Sequence, residues 1–228
     1  MNPGPIEIVE CPACGECQLR KTLLSGNTLG ARFFTDRKRI APMLPEFPTF
    51  VKCHDCGVFF KIDDKVISNR VSRIEVYKKL EHSETGKNSF KMPFVQFLTV
   101  EEYLQALSKG LCNGNKKDIL PLRLSLWRKY NDKVREKRVT SSSKKLFNAD
   151  EKNSYEDNCR KILSMKAKSE EDIDFLICAE LYRNIGEFDK CKTILDKIKD
   201  IKRYERAITA IKAACDTGNM FTVEIDVE

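Results

Sequence analysis

Two short cysteine motifs, Cys11-Pro-Ala-Cys14-Gly15 and Cys53-His-Asp-Cys56-Gly57, constrain this chain more than any other feature. Two residues between the cysteines let both sulfurs turn toward one ion at about 2.3 Å, while the turning backbone points N–H groups at the thiolates. The glycine after each pair tolerates the positive φ that closes such a turn. Together the pairs supply a four-sulfur tetrahedral shell with no open position. Cys11, Cys14, Cys53 and Cys56 are therefore expected to hold one structural Zn²⁺ rather than a catalytic ion. Cys17 extends the first motif and His54 lies inside the second. Since four sulfurs already fill the shell, both are expected to be bystanders.

The chain has 10 cysteines, of which five fall between positions 11 and 56 and the rest are scattered through helix-like patterns, so they read as reduced thiols. With 228 residues, 41% of them apolar and 33% charged, the chain can bury a core as one or two soluble domains. It has no run of about 18 apolar residues, and its first 15 residues lack a basic start and an apolar signal core. A cytoplasmic protein without a membrane segment is expected.

Around the cysteines the pattern is extended. Ile6 and Ile8 alternate with polar neighbours, Leu29 to Phe34 runs into the turn-like Thr35 to Lys38, and Pro42, Pro45 and Pro48 exclude a helix between the motifs. Phe50 to Cys53 feeds the second motif and Gly57 to Ile62 leaves it as a strand. Residues 63 to 91 are polar and ambiguous. Thr99 and Glu102 form a capping box before Tyr103, Leu104, Leu107 and Leu111, and a longer helix is predicted from Asp118 to Lys137. A linker is expected near 139 to 153, where Ser141 to Ser143 meet Lys144 and Lys145. Helices follow over 155–166, 172–185, 187–199 and 202–217, with Gly186 at a tight turn and Gly218 at a C-terminal cap. The expected class is α+β with more than one domain: a small β metal-binding domain over 1–65, a mixed, mainly helical middle over 66–148, and a helical region over 149–228.

Residues 11 to 57 resemble zinc-ribbon proteins. Rubredoxins use similar paired knuckles for iron and electron transfer, so iron is the competing metal. The stretches Ser25 to Asp36 and Ala41 to Pro45, with the ribbon before the helices, also resemble a set of uncharacterised bacterial proteins, a resemblance that implies no activity. Residues 172 to 205 are similar to one degenerate tetratricopeptide repeat, on Ala179, Tyr182, Gly186, Phe188 and Cys191. Cys191 and Ile198 stand where alanine is usual, and no proline closes the unit. The resemblance implies a helical hairpin presenting a groove to a protein partner.

The formal charge of +7 is uneven, with 17 Lys and Arg against 8 acidic residues between 71 and 148. The helix segment 123–138 carries Arg123, Arg128, Lys129, Lys133, Arg135, Lys137 and Arg138, which makes nucleic-acid binding the alternative function. Trp127 and Tyr130 lie beside the apolar stripe and are expected in the core, out of reach of bases. Catalytic signatures are lacking: two histidines stand in unrelated contexts, and no nucleophile elbow, zinc-protease motif, phosphate loop or dinucleotide fingerprint occurs. Asp36 and Arg39 are expected to be a turn aspartate and a solvated arginine. The sequence thus predicts a non-enzymatic Zn²⁺-binding interaction module, binding a protein through its helical region.

Overall fold

A computed structural model describes residues 1–84, 92–137 and 146–226. Its strands are β1 (Asn2–Glu10), β2 (Cys17–Ser25), β3 (Arg32–Phe34), β4 (Arg39–Ile40), β5 (Phe50–Lys52), β6 (Phe59–Lys61), β7 (Ile67–Val71) and β8 (Glu224–Ile225). The helices are α1 (Arg73–Glu84), α2 (Val100–Lys109), α3 (Ile119–Lys137), α4 (Ala149–Lys166), α5 (Asp172–Asn184), α6 (Phe188–Leu195) and α7 (Ile201–Asp216). Small antiparallel sheets followed by helices make an α+β chain. Among the described residues no helix is long and apolar enough to cross a membrane.

The chain divides into two compact units, residues 1–30 with 41–122 and residues 31–40 with 123–228. These differ from the three consecutive segments 1–65, 66–148 and 149–228 that composition and pattern suggest. The reason is nonlocal pairing: a short hairpin between the cysteine motifs belongs with the helices that come much later.

In the first unit β1 lies between β2 and β7, and β5 pairs with β6 in a separate hairpin, all antiparallel. Successive strand side chains point to opposite faces, so residues two apart share one. Val9 with Cys11, Val51 with Cys53, and Phe60 with Ile62 follow that spacing into one buried cluster with Val66 and Val95. A second cluster joins Ile6 and Leu19 to Val76 of α1. Both halves of the capping box expected at the start of α2 are formed, Thr99 accepting from the Glu102 N–H and Glu102 from the Thr99 N–H. The ambiguous stretch holds β7 and α1; residues 85–91 of it, and the side chain of His82, lie outside the described residues.

In the second unit α5, α6 and α7 bury Leu176, Ala179, Cys191, Leu195, Ile198, Ile208, Ile211 and Cys215 together. Burial of each large aliphatic side chain contributes about 1.5–3 kcal/mol. Helix α4 begins earlier than expected because Asn148 and Glu151 form a second capping box. Residues 149–153 of the expected linker are therefore helical, while 139–145, Arg138 and the Lys137 side chain lie outside the described residues. Helix α6 stops at Leu195, short of the expected end at Lys199. Strand β3 pairs with β4 on one edge and with β8 on the other.

Polar side chains are buried in this unit as a charge-balanced network. Asp36, fully buried, uses one carboxylate oxygen to accept from Asn131 (2.9 Å) and Arg135 (2.7 Å), and the other to accept from the Lys38 backbone N–H. It is thus a turn aspartate, as expected, but also half of a buried ion pair. Arg39 is partly buried rather than solvated. Arg183, also fully buried, pairs with Glu180 and donates to the carbonyl of Phe221, while Thr35 donates to Glu180 at 2.7 Å. Tyr155, Asn184 and Trp127 link these groups: the Trp127 indole N–H donates to Asn184 at 3.0 Å. Each acid in the network meets a cation, which is the condition for burying either.

Candidate metal centre

The two cysteine motifs are the loops of two hairpins. Glu10 pairs with Cys17 across β1 and β2, and Lys52 pairs with Phe59 across β5 and β6, so each loop holds one C-x-x-C-G turn. The loops close alike. The Cys11 N–H donates to the Glu16 carbonyl and the Gly15 N–H to the Cys11 carbonyl, both at 2.9 Å; Cys53 to Val58 and Gly57 to Cys53 repeat the pattern at 2.9 and 3.1 Å. Gly15 and Gly57 take φ of 76° and 71°, the left-handed region where a side chain is strained. In each loop the first cysteine is buried and the second exposed.

This symmetry brings four sulfurs together. The ligand atoms of Cys11, Cys14, Cys53 and Cys56 all lie within 4.8 Å of one another. Cys11 to Cys56 and Cys14 to Cys53, each a pair across the two loops, are 3.7 Å apart. A tetrahedron with metal–sulfur bonds of 2.3 Å has sulfur–sulfur edges of about 3.8 Å, whereas a disulfide needs about 2.05 Å. The spacing fits four ligands around one ion.

Local fields act on these thiols in opposite directions. Burial pushes Cys11 up to about 12. At Cys14 the Glu16 backbone N–H donates to the sulfur and holds it below the ordinary thiol range. The Val58 N–H, two residues after Cys56 as Glu16 is after Cys14, pulls the same way, but desolvation and the contacts with Cys14 and Cys53 outweigh it and leave the Cys56 thiol raised. A divalent ion would hold all four as thiolates, since a coordinating thiol is deprotonated outright.

All four sequence-predicted ligands are in the cluster, and Cys17 and His54 are outside it. Cys17 turns its thiol to the Gly15 carbonyl at 3.8 Å, and His54 is exposed. A prop that no local pattern marks stands behind the second loop. Asn113 exchanges two hydrogen bonds with the Lys61 backbone, at 2.9 and 3.1 Å, as a strand would; the Cys112 N–H donates to the Phe59 carbonyl at 2.9 Å. Lys61 pairs with Asp118 at 2.6 Å and Lys52 with Glu102 at 3.3 Å. No spacing rule connects residues 112–118 to position 61, so the sequence carried no signal for them.

Comparison with family models, with curated proteins and with solved structures finds no match to this chain.

Proposed function

We propose that the chain is a non-enzymatic interaction module in which a zinc ribbon, holding Zn²⁺ on Cys11, Cys14, Cys53 and Cys56, accompanies a tetratricopeptide-like hairpin that binds a protein partner. The observation that carries the metal half is the cluster of four sulfurs within 4.8 Å of one another, two of whose pairs lie at 3.7 Å, close to the edge of a tetrahedral site. A closed four-sulfur shell leaves no position for substrate, so the ion folds the chain and does no chemistry. Purified protein is expected to contain about one zinc per chain. Iron in its place, with a coloured thiolate spectrum, would overturn zinc.

The partner half is supported by the hairpin of α5 and α6. Ala179 and Cys191 are both fully buried where the helices meet, Gly186 turns at φ 78°, and Tyr182 and Phe188 pack on the same cluster. A cavity of about 770 Å³ runs beside α5, with Phe175, Tyr182 and Ile194 in its wall and Lys166 and Lys197 at its edge. Capture of one partner from lysate, lost on Ile194→Glu with zinc content unchanged, is the supporting result; capture that survives this change refutes the groove.

Nucleic-acid binding by the ribbon and the basic segment 123–138 ranks second, on the strength of its charge. Against it, Trp127 and Tyr130 are fully buried, Arg135 is spent on Asp36, Lys133 pairs with Glu151, and Arg123 donates to Asn158. Fluorescence anisotropy is expected to give no submicromolar binding to oligonucleotides at physiological salt. A tight constant that falls by about 0.7–0.9 per phosphate on the log-log salt plot, and is lost on changing Arg128, Lys129 and Lys133 to Glu, would reverse the ranking.

A further inference from the structure

A cavity of about 1060 Å³ in the second unit is lined by Arg37 of the β3–β4 turn, Arg203 and Tyr204 of the first turn of α7, and Phe33 and Ile225. Phe33 and Ile225 stand opposite each other across β3 and β8, and opposed residues of an antiparallel pair share a face. Arg128 of α3 reaches the same corner, its Nε donating at 3.3 Å to the carbonyl of Asp36, the residue before Arg37. Arg37 and Arg203 thus line the cavity, and Arg128 lies outside its wall but near enough to act on the charge of Arg37.

Among the described residues Arg20, Arg32, Arg70, Arg135, Arg160 and Arg183 each sit on a carboxylate, whereas Arg37, Arg128 and Arg203, like Arg39, Arg73 and Arg123, make no ion pair. Arg37 is exposed as a residue, yet desolvation of its guanidinium lowers its pKa; Arg128 and Arg203 add to the lowering, against Tyr204. Neighbouring cations without a counterion repel. Arg37 also holds φ at 63°, a conformation that glycine would take at less cost. Of the carboxylates in the wall, Asp172 accepts the backbone N–H groups of Lys199 and Asp200, and Asp200 accepts that of Arg203. The two bonds to Asp172, with lesser help from the charges of Lys199 and Arg203, hold its carboxyl below the ordinary range, so Asp172 balances part of the Arg203 charge without an ion pair. Glu170, Glu171 and Glu205 also line the cavity, alongside the cations Lys199, Lys202 and Arg206.

We infer that Arg37, Arg128 and Arg203 form a binding site for the phosphate groups of a small molecule whose planar or apolar part lies against Phe33 and Ile225. Arginine suits this task because its planar fork matches phosphate oxygens in pairs. None of the three arginines lines the α5–α6 groove, although Glu170 and Lys199 lie in the walls of both cavities.

Calorimetric titration of the full, zinc-loaded chain at low salt, with ADP and with inorganic pyrophosphate as probes, tests the assignment. ADP is expected to bind at least tenfold more tightly than pyrophosphate. Arg37→Gly is expected to weaken ADP at least tenfold while keeping or raising the melting temperature, because glycine relieves the left-handed backbone. Arg203→Glu is expected to abolish binding. Absence of binding by either probe up to millimolar concentration, or affinity unchanged in both variants, overturns the site. Pyrophosphate binding as tightly as ADP overturns the role given to Phe33 and Ile225.

Discussion

The first unit places Cys11 and Cys53 in its core beside Val9, Val51 and Phe60, whereas the second buries Asp36, Arg135, Glu180 and Arg183 among its helices. The short strands β5 and β6 bury Phe50, Val51, Phe59 and Phe60, and Val51 and Phe60 share one cluster with Cys53, so the cysteines are built into the apolar core itself. The helical unit buries an apolar cluster of its own between α5, α6 and α7. It tolerates the desolvation of two buried ion pairs because each carboxylate meets its guanidinium at hydrogen-bond distance. Buried reactive and charged groups thus differ between the two units: in one, four clustered thiols could hold an ion, and in the other the charges already answer one another.

The largest effect should come from breaking the first unit. Chelation, or Cys14→Ser or Cys56→Ser, is expected to unfold it, since apparent zinc affinities of about 10–16 kcal/mol are folding energy in such sites. NMR of residues 123–226 should stay native while signals from 1–30 disperse less. A metal-free protein with the first unit still folded would sink the assignment. Acid should act in the same direction. Zinc depresses the thiol pKa below the unfolded value of about 8.5, so the stability it supplies is present above that value and lost as pH falls through the bound-state pKa. The helical unit should not follow that curve.

Next in size is the buried pair. Arg135→Met strands the Asp36 carboxylate and is expected to cost about 3–5 kcal/mol in urea unfolding of the second unit. Adding Asp36→Asn should restore much of that loss; strict additivity would show that the pair is not coupled. The smallest effect is at Gly186. A Cβ there would meet Met220 no closer than 3.6 Å, so Gly186→Val is opposed by the backbone at φ 78° rather than by crowding. The expected cost is about 1–3 kcal/mol, with zinc content unchanged. A change in zinc content on this substitution would erase the contrast between the units.

What could be read from the chain was local. The four ligands announce themselves because their chemistry lies within four residues of each other twice over, and the capping box at Thr99 needs only position 102. Helix α5 follows from periodicity. By contrast, Asp36 and Arg135 are 99 positions apart, and nothing in either neighbourhood marks them as partners. The strand β8 is two residues long and has meaning only through β3. Asn113 imitates a strand edge with a side chain, which leaves no period to detect. Arg135 looked like one more surface cation on a basic helix, since charge counts do not say which face a residue occupies.

The hairpin of residues 31–40, which lies between the two cysteine motifs yet belongs with later helices, also sets a timetable for synthesis. All four cysteines have been made by position 56, so an ion held by them would be captured early. Such capture would close the intervening chain into a tethered loop that carries the hairpin at its middle. At roughly 5–20 residues per second, Asp36 then waits about 5–20 s before Arg135 has been translated. A ribosome-bound chain halted in that interval should already protect Cys53 from alkylation while leaving Asp36 in water, its counter-charge not yet born.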